Sequence, residues 1–266
     1  MLKGMVITGA VVVSIVLILL GVIYSLQDRL IFFPEKLPRD YVFPFNNPFQ
    51  EVFLETLDGA EIHALHFRAK EPKGVILYFH GNAGNLRSWG YLAEEYLAYN
   101  YDVFMVDYRG FGKSTGIRTE AALHQDAQLA YQHVVKEYPE NKIIVFGRSI
   151  GTGMAVPVAA RNKPKCLLLE TPFYNFADVA KTHYSFLPVT LLLKYSFRSD
   201  EWIQKVNCPI YIFHGTADKV VLYSSGEKLA QVADSAKTRL ITIPNSGHND
   251  LSNFHQYRQA LQTILQ

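Results

Sequence analysis

Cysteine is nearly missing from this chain. Only Cys166 and Cys208 occur among 266 residues, without C-x-x-C spacing, which excludes a disulfide-framework scaffold and a structural zinc site. Each stands just ahead of a short apolar run and reads as a buried thiol. A bridge between them requires those runs to be neighbouring strands in a narrow geometry. An excess of one charge is missing too: the net charge is +2 and no long block of like charges occurs. That speaks against a nucleic-acid partner and against a disordered acidic tail. Internal repeats and low-complexity tracts are absent. So are G-x-G-x-x-G and G-x-x-x-x-G-K-[ST], which leaves the glycine-containing stretch from Asp107 to Ser114 as a structural loop. His63 and His66 lie three apart in a strand-like run and point to opposite faces, and His124, His133, His183 and His255 have no partner pattern. Neither a metal nor a cofactor is expected.

What the sequence does have is one long apolar run. Met5 to Tyr24 is free of charge, and as a helix it extends about 30 Å, the thickness of a bilayer's hydrocarbon core. A cleavable signal peptide has a shorter apolar region, about 7–15 residues, and no A-x-A-type site follows this one. Residues 1–29 therefore read as a membrane anchor and residues 30–266 as one α/β domain, since 266 residues hold one substantial core of this class but not two. Tyr24, Phe32 and Phe33 fall at or beyond the end of the run, placed either to settle at the membrane interface or to pack on the domain. Lys3 precedes the run while Arg29, Lys36 and Arg39 follow it, so a literal positive-inside count puts the domain in the cytoplasm.

Beyond a connector containing Pro34, Pro38, Pro44 and Pro48, the runs Glu51–Leu57 and Glu61–Arg68 flank Asp58-Gly59, a strong hairpin signal. Short apolar runs then alternate with segments of helical period. The runs are Gly74–Phe79, Tyr101–Asp107, Lys142–Gly147, Cys166–Glu170, Pro209–His214 and Thr238–Ile243, most of them too apolar for a half-solvated sheet. Thr119 is placed to cap a helix whose buried face carries Leu123, Ala127, Tyr131, Val134 and Tyr138, ended by Pro139. Strand and helix in alternation specify a doubly wound, mostly parallel α/β sheet. Residues 171–207 break the rhythm. Rich in Phe, Tyr and Leu, including Phe173, Phe176, Tyr184, Phe186, Leu187, Leu191 and Leu192, they read as a small cap over the sheet's carboxyl edge.

Gly147-Arg148-Ser149-Ile150-Gly151 follows the strand Ile143–Phe146 and precedes a helical stretch, the context of a nucleophile elbow. Pro157 is tolerable in that helix if it falls in the first turns. The motif alone turns up by chance in roughly one in ten chains of this length, so its placement carries the weight. A serine hydroxyl needs a base and an acid further along, in the order Ser, Asp, His. Asp218 lies just past the Pro209–His214 strand and His248 just past Thr238–Ile243, on the same sheet edge as Ser149. Glu170 also ends a strand and is the alternative acid. The loop His80-Gly81-Asn82-Ala83-Gly84-Asn85 follows another strand and offers an oxyanion hole: the backbone N–H groups of Asn82 and Ile150 are the expected donors, with Ala83 as the alternative to Asn82.

Taken together, Phe79-His80-Gly81-Asn82-Ala83-Gly84-Asn85, Asp107-Tyr108-Arg109-Gly110-Phe111-Gly112, Gly147-Arg148-Ser149-Ile150-Gly151-Thr152-Gly153, His214-Gly215-Thr216-Ala217-Asp218 and Gly247-His248-Asn249-Asp250 resemble a branch of the α/β-hydrolase-domain-containing proteins, several of them single-pass membrane proteins. The likeness runs from about Leu30 to the C-terminus. It implies the eight-stranded α/β-hydrolase fold, Ser149, Asp218 and His248 as triad, and a domain outside the cytosol, against the charge count, so the side stays open. That branch resembles depalmitoylating thioesterases on one side and prolyl-oligopeptidase-type peptidases on the other, although the chain has no room for the latter's β-propeller. The reading is hydrolysis of an acyl ester or thioester, on a lipid or an acylated protein, through an acyl-enzyme on Ser149. The alternatives are a peptidase acting on small peptides and a non-catalytic, membrane-anchored interaction protein.

Overall fold

In the computed structural model, which describes residues 2–185 and 188–266, the chain opens with a helix, α1 (Leu2–Ile31), and an antiparallel pair, β1 (Phe49–Glu55) and β2 (Glu61–Phe67). Then follow β3 (Gly74–Phe79), α2 (Leu86–Trp89), α3 (Ala93–Leu97), β4 (Tyr101–Val106), α4 (Glu120–Val135), β5 (Ile143–Arg148), α5 (Thr152–Arg161), β6 (Cys166–Glu170), α6 (Phe176–His183), α7 (Val189–Leu192), α8 (Ser199–Trp202), β7 (Ile210–Gly215), α9 (Tyr223–Val232), β8 (Thr238–Ile243) and α10 (His255–Leu265). The strands form one sheet in the order β1-β2-β4-β3-β5-β6-β7-β8, in which β2 is antiparallel to both neighbours and all other pairs are parallel. This is the expected eight-stranded, mostly parallel α/β-hydrolase sheet.

The apolar runs of β3 to β7 become interior strands because both of their faces are covered, whereas β8 closes the edge of the sheet and is only partly buried. Val75, Leu77 and Phe79 of β3 point into a core shared with α4 and α5, while Ile76 and Tyr78 point into a second core with α3 and α10. The same alternation separates the two cysteines. Cys166 faces the second core and Cys208 the first, and both are free and buried. Burial pushes the Cys166 thiol up to about 12 and the Cys208 thiol up to about 11, so neither forms a thiolate at neutral pH. A thiol-reactive reagent is expected to leave the native protein unlabelled and to label both sites once it is denatured. Rapid labelling of the folded chain, read by mass, would contradict this packing.

Local chemistry adjusts several element ends. β1 stops at Glu55 rather than Leu57, because the Thr56 hydroxyl turns onto the loop and accepts the Ala60 N–H at 2.9 Å. The Thr119 hydroxyl caps α4 by accepting the Ala122 N–H at 3.1 Å, and Leu123, Ala127, Tyr131 and Val134 are buried as their spacing predicts. The helix unwinds after Val135, ahead of Pro139, and Tyr138 lies beyond it with its hydroxyl on Asp102 at 2.6 Å. Pro157 lies inside α5 and has no N–H for the Gly153 carbonyl. His124 Nε2 donates to that carbonyl instead, at 3.1 Å, and burial pushes the His124 pKa down, in keeping with a neutral ring.

α1 does not end at Tyr24. It continues to Ile31, and its stretch Ala10–Ile31 is long and apolar enough to cross a membrane, with almost none of it buried against the protein. The last turn docks on the domain. Gln27 donates to the Leu192 carbonyl and accepts the Lys194 N–H at 2.9 Å, while Asp28 pairs with Arg118 at 2.6 Å and accepts the Tyr195 hydroxyl at 2.8 Å. Of the two aromatic residues beyond it, Phe32 packs into the core at 2% exposure and Phe33 stays 57% exposed. Residues 171–207 hold the short helices α6, α7 and α8. Phe173 and Phe197 are buried there and Tyr184 is exposed; Phe186 and Leu187, and the side chain of Leu191, lie outside the described residues.

Candidate active site

Strand order reverses at β3. The chain leaves it on one side to form β4 and returns on the other to form β5, so the loops after β3 and β5 part and open a crevice at the carboxyl edge, where open α/β sheets take their ligands. Ser149 and the loop from His80 to Asn85 meet at that crevice. Ser149 has φ +50, a left-handed conformation that turns its side chain out of the strand. Its flanking glycines are required by space. A Cβ on Gly147 would lie 2.7 Å from Ala155 Cβ in α5, and one on Gly151 would lie 2.1 Å from the Phe79 carbonyl oxygen at the end of β3.

The two other residues singled out from the sequence converge on the same point. His248 Nε2 lies 2.9 Å from Ser149 Oγ, and His248 Nδ1 lies 2.7 Å from Asp218 Oδ2. Asp218 Oδ1 accepts the N–H groups of Val220 and Val221 at 2.8 and 3.0 Å. Burial works against charge on Asp218, but hydrogen bonds from His214, His248 and the Val220 N–H outweigh it and hold its carboxyl well below the usual carboxylate range. An ionised Asp218 only accepts, so the proton of His248 sits on Nδ1 and Nε2 is left to accept from the Ser149 hydroxyl. Asp250 tightens the loop beneath His248, its Oδ1 accepting the Gly247 N–H at 2.7 Å and the Ser246 hydroxyl at 2.8 Å.

Glu170, the alternative acid, is engaged elsewhere: it pairs with Arg148 Nε at 3.2 Å and accepts the Tyr257 hydroxyl at 3.0 Å. The N–H of Ala83, the alternative oxyanion donor, is taken by Asn82 Oδ1 at 2.9 Å. Among the described residues the Asn82 N–H finds no acceptor, and Asn82 and Ile150 both line the cavity beside Ser149. His63, His66 and Asp107 serve the scaffold. Asp107 is buried, accepts the Leu86 N–H at 3.1 Å, and lies 3.6 Å from His63 and 3.3 Å from His80 beneath the oxyanion loop. His66 faces Asp102 at 3.4 Å, on the other side of β2.

Two further residues shape the site in ways that no sequence motif specifies. His214 Nε2 donates to the Val221 carbonyl at 2.9 Å and lies 3.3 Å from Asp218 Oδ2, steadying the acid from behind; its place four residues before Asp218 at a strand end was the available signal. Arg148 lines the cavity, with its guanidinium 5.2 Å over the Trp89 ring. The cavity measures about 300 Å³, and Phe173, Phe176, Val179, Val220 and Ile31 give it an apolar wall. A larger hollow of about 720 Å³, between the end of α1 and Arg118, touches none of Ser149, Asp218 or His248.

Such a sheet, with such a crevice, defines an α/β hydrolase. Residues 70–199 match the family model described as serine aminopeptidase, S33. Protein bem46 of Schizosaccharomyces pombe is 30% identical over 275 residues, covering 97% of this chain and 92% of its own. Lysophosphatidylserine lipase ABHD12 of Danio rerio is 32% identical over 204 residues, 67% of this chain but 52% of its own, so the match spans about half of that relative. Among solved structures, the Pyrococcus furiosus esterase Pf2001 shares the fold with a TM-score of 0.70 at 16% identity, over 88% of this chain and 98% of that one. The chain belongs to the ABHD-type family of α/β hydrolases, alongside bem46 and ABHD12.

Proposed function

We propose that this protein is a membrane-tethered serine esterase that cleaves acyl esters or thioesters through an acyl-enzyme on Ser149. The observation that carries the reading is the unbroken relay from Ser149 Oγ to His248 at 2.9 Å and on to Asp218 at 2.7 Å. His248 takes the hydroxyl proton as Ser149 Oγ attacks the acyl carbonyl, and the N–H groups of Asn82 and Ile150 receive the oxyanion. The leaving alcohol or thiol takes the proton back from His248. Water, activated by the same imidazole, then frees the acid and restores Ser149.

The apolar wall of Phe173, Phe176, Val179 and Val220 suits an acyl chain, residues 171–207 act as the cap that supplies part of it, and the relationship to the lysophosphatidylserine lipase ABHD12 supports a lipid ester. α1 is the tether, and the family topology favours a domain outside the cytosol. The match to a serine aminopeptidase model raises a peptidase as second reading. Against it, the described residues lining the cavity include no carboxylate to hold a substrate's ammonium group. A panel of nitrophenyl esters and acyl thioesters of graded chain length, run beside aminoacyl amides, tests both. Turnover of esters that rises with acyl length is expected, with no turnover of the amides; cleavage of the amides alone would overturn the esterase reading.

A further inference from the structure

Asn82 sits where the loop after β3 meets the end of α1, and its side chain is devoted to that junction. Its amide nitrogen donates to the carbonyl of Ile31, the final residue of α1 and one of the acceptors a helix end leaves without an internal partner. Its carbonyl oxygen accepts the Phe33 N–H at 3.2 Å and the Ala83 N–H at 2.9 Å. Main-chain bonds repeat the attachment: Gly84 N–H donates to the Phe33 carbonyl at 3.1 Å, and Glu35 N–H to the Gly84 carbonyl at 3.0 Å. Ala83 and Gly84 both have φ +73, a pair of left-handed residues that holds its shape only when its surroundings determine it. Ile31 itself forms part of the cavity wall beside Ser149.

We propose that the Asn82 side chain is a positioning residue, through which the end of the anchor helix sets the direction of the Asn82 N–H toward the oxyanion. The inference rests on the esterase reading above. The side chain touches no reacting atom; it fixes the peptide whose N–H does. The anchor is then a working part of the hydrolysis as well as a tether, because the last carbonyl and the first free N–H of its exit hold the oxyanion loop in place.

The test uses the full chain in detergent micelles. Asn82→Ala keeps the backbone N–H and removes the clamp. Its kcat per titrated active site, with p-nitrophenyl butyrate as substrate, is expected to fall about 10- to 100-fold, a part of what losing a whole donor costs, and the rate of inactivation by a fluorophosphonate should fall in parallel. KM should change by less than about twofold, since the ground state does not use the donor. Phe33→Pro provides a second variant that leaves Asn82 untouched. It deletes the anchor-side N–H at a position that Pro34 already biases toward extended backbone, and a smaller fall of the same kind is expected. A lowered melting temperature with unchanged kcat per titrated site, in whichever variants fold, would reduce Asn82 to a structural role and overturn the inference while leaving the esterase reading intact. Wild-type protein that is folded yet refuses the fluorophosphonate would instead remove the esterase reading first.

Discussion

Ser149→Ala is expected to abolish both fluorophosphonate labelling and ester turnover, with kcat falling by about five to six orders of magnitude, the range seen when a triad serine is deleted. The expectation is large because the elbow concentrates the chemistry on one oxygen. Ser149 Oγ is held out of the strand at φ +50 and against His248 Nε2, and among the described residues no other hydroxyl or thiol lines the cavity. The fold should be indifferent, because Ala adopts the same φ with the same strain and no packing is removed. Intact-mass measurement after probe treatment, beside a melting curve, checks both halves. Undiminished labelling of Ser149→Ala would sink the mechanism.

Asp218→Asn should lower kcat by about 10⁴-fold with little change in fold, since the same exchange in an equivalent triad costs that much. The physical cause is the tautomer. The carbonyl oxygen of the new amide would keep the N–H groups of Val220 and Val221, which turns its NH₂ toward His248 Nδ1. That nitrogen must then accept, the ring proton moves to Nε2, and Nε2 no longer accepts from Ser149. A stability effect accompanies the kinetic one. The folded-state pKa of Asp218 is depressed, so its ionised form contributes stability that is fully present above the unfolded value of about 4 and is lost as pH falls below that value toward the folded one. Denaturant melts between about pH 5 and 2 should therefore show a shallower acid dependence for Asp218→Asn than for wild type. Equal slopes would mean that the carboxylate is not held by the contacts described.

Much of this architecture was legible in the sequence because burial on both faces forces continuous apolar runs in β3 to β7, and together with the half-exposed edge strand β8 the runs from Gly74 to Ile243 mark six parallel strands nearly to the residue. Ser149, Asp218 and His248 could be picked out because each follows such a run, which fixes the sheet edge they share. Other features depend on partners distant in the chain. α1 runs two residues past the expected anchor boundary at residue 29; its last turn is held by Gln27 and Asp28, which bond to Leu192, Lys194, Arg118 and Tyr195. The hydrogen bond that occupies the Ala83 N–H, and with it the proposal of Asn82 as donor, is one that no spacing encodes. Pro157 is tolerated because His124, from another helix, takes up the carbonyl it strands, a partner that no local pattern around Pro157 announces.

α1 enters the domain without a flexible joint. At 1.5 Å per residue the stretch Ala10–Ile31 is about 33 Å long, close to the roughly 30 Å of a hydrocarbon core; read as a span, it sets Ile31 and the mouth of the cavity at the level of the lipid headgroups. A loose linker would let the domain tumble and meet soluble esters from any direction. Under the proposed tether a stiff strut would hold one height and one orientation, and the enzyme would search in two dimensions among molecules that share its own leaflet. Encounter would then scale with surface density instead of bulk concentration, and the depth at which an ester bond lies in the bilayer would become a criterion of selection.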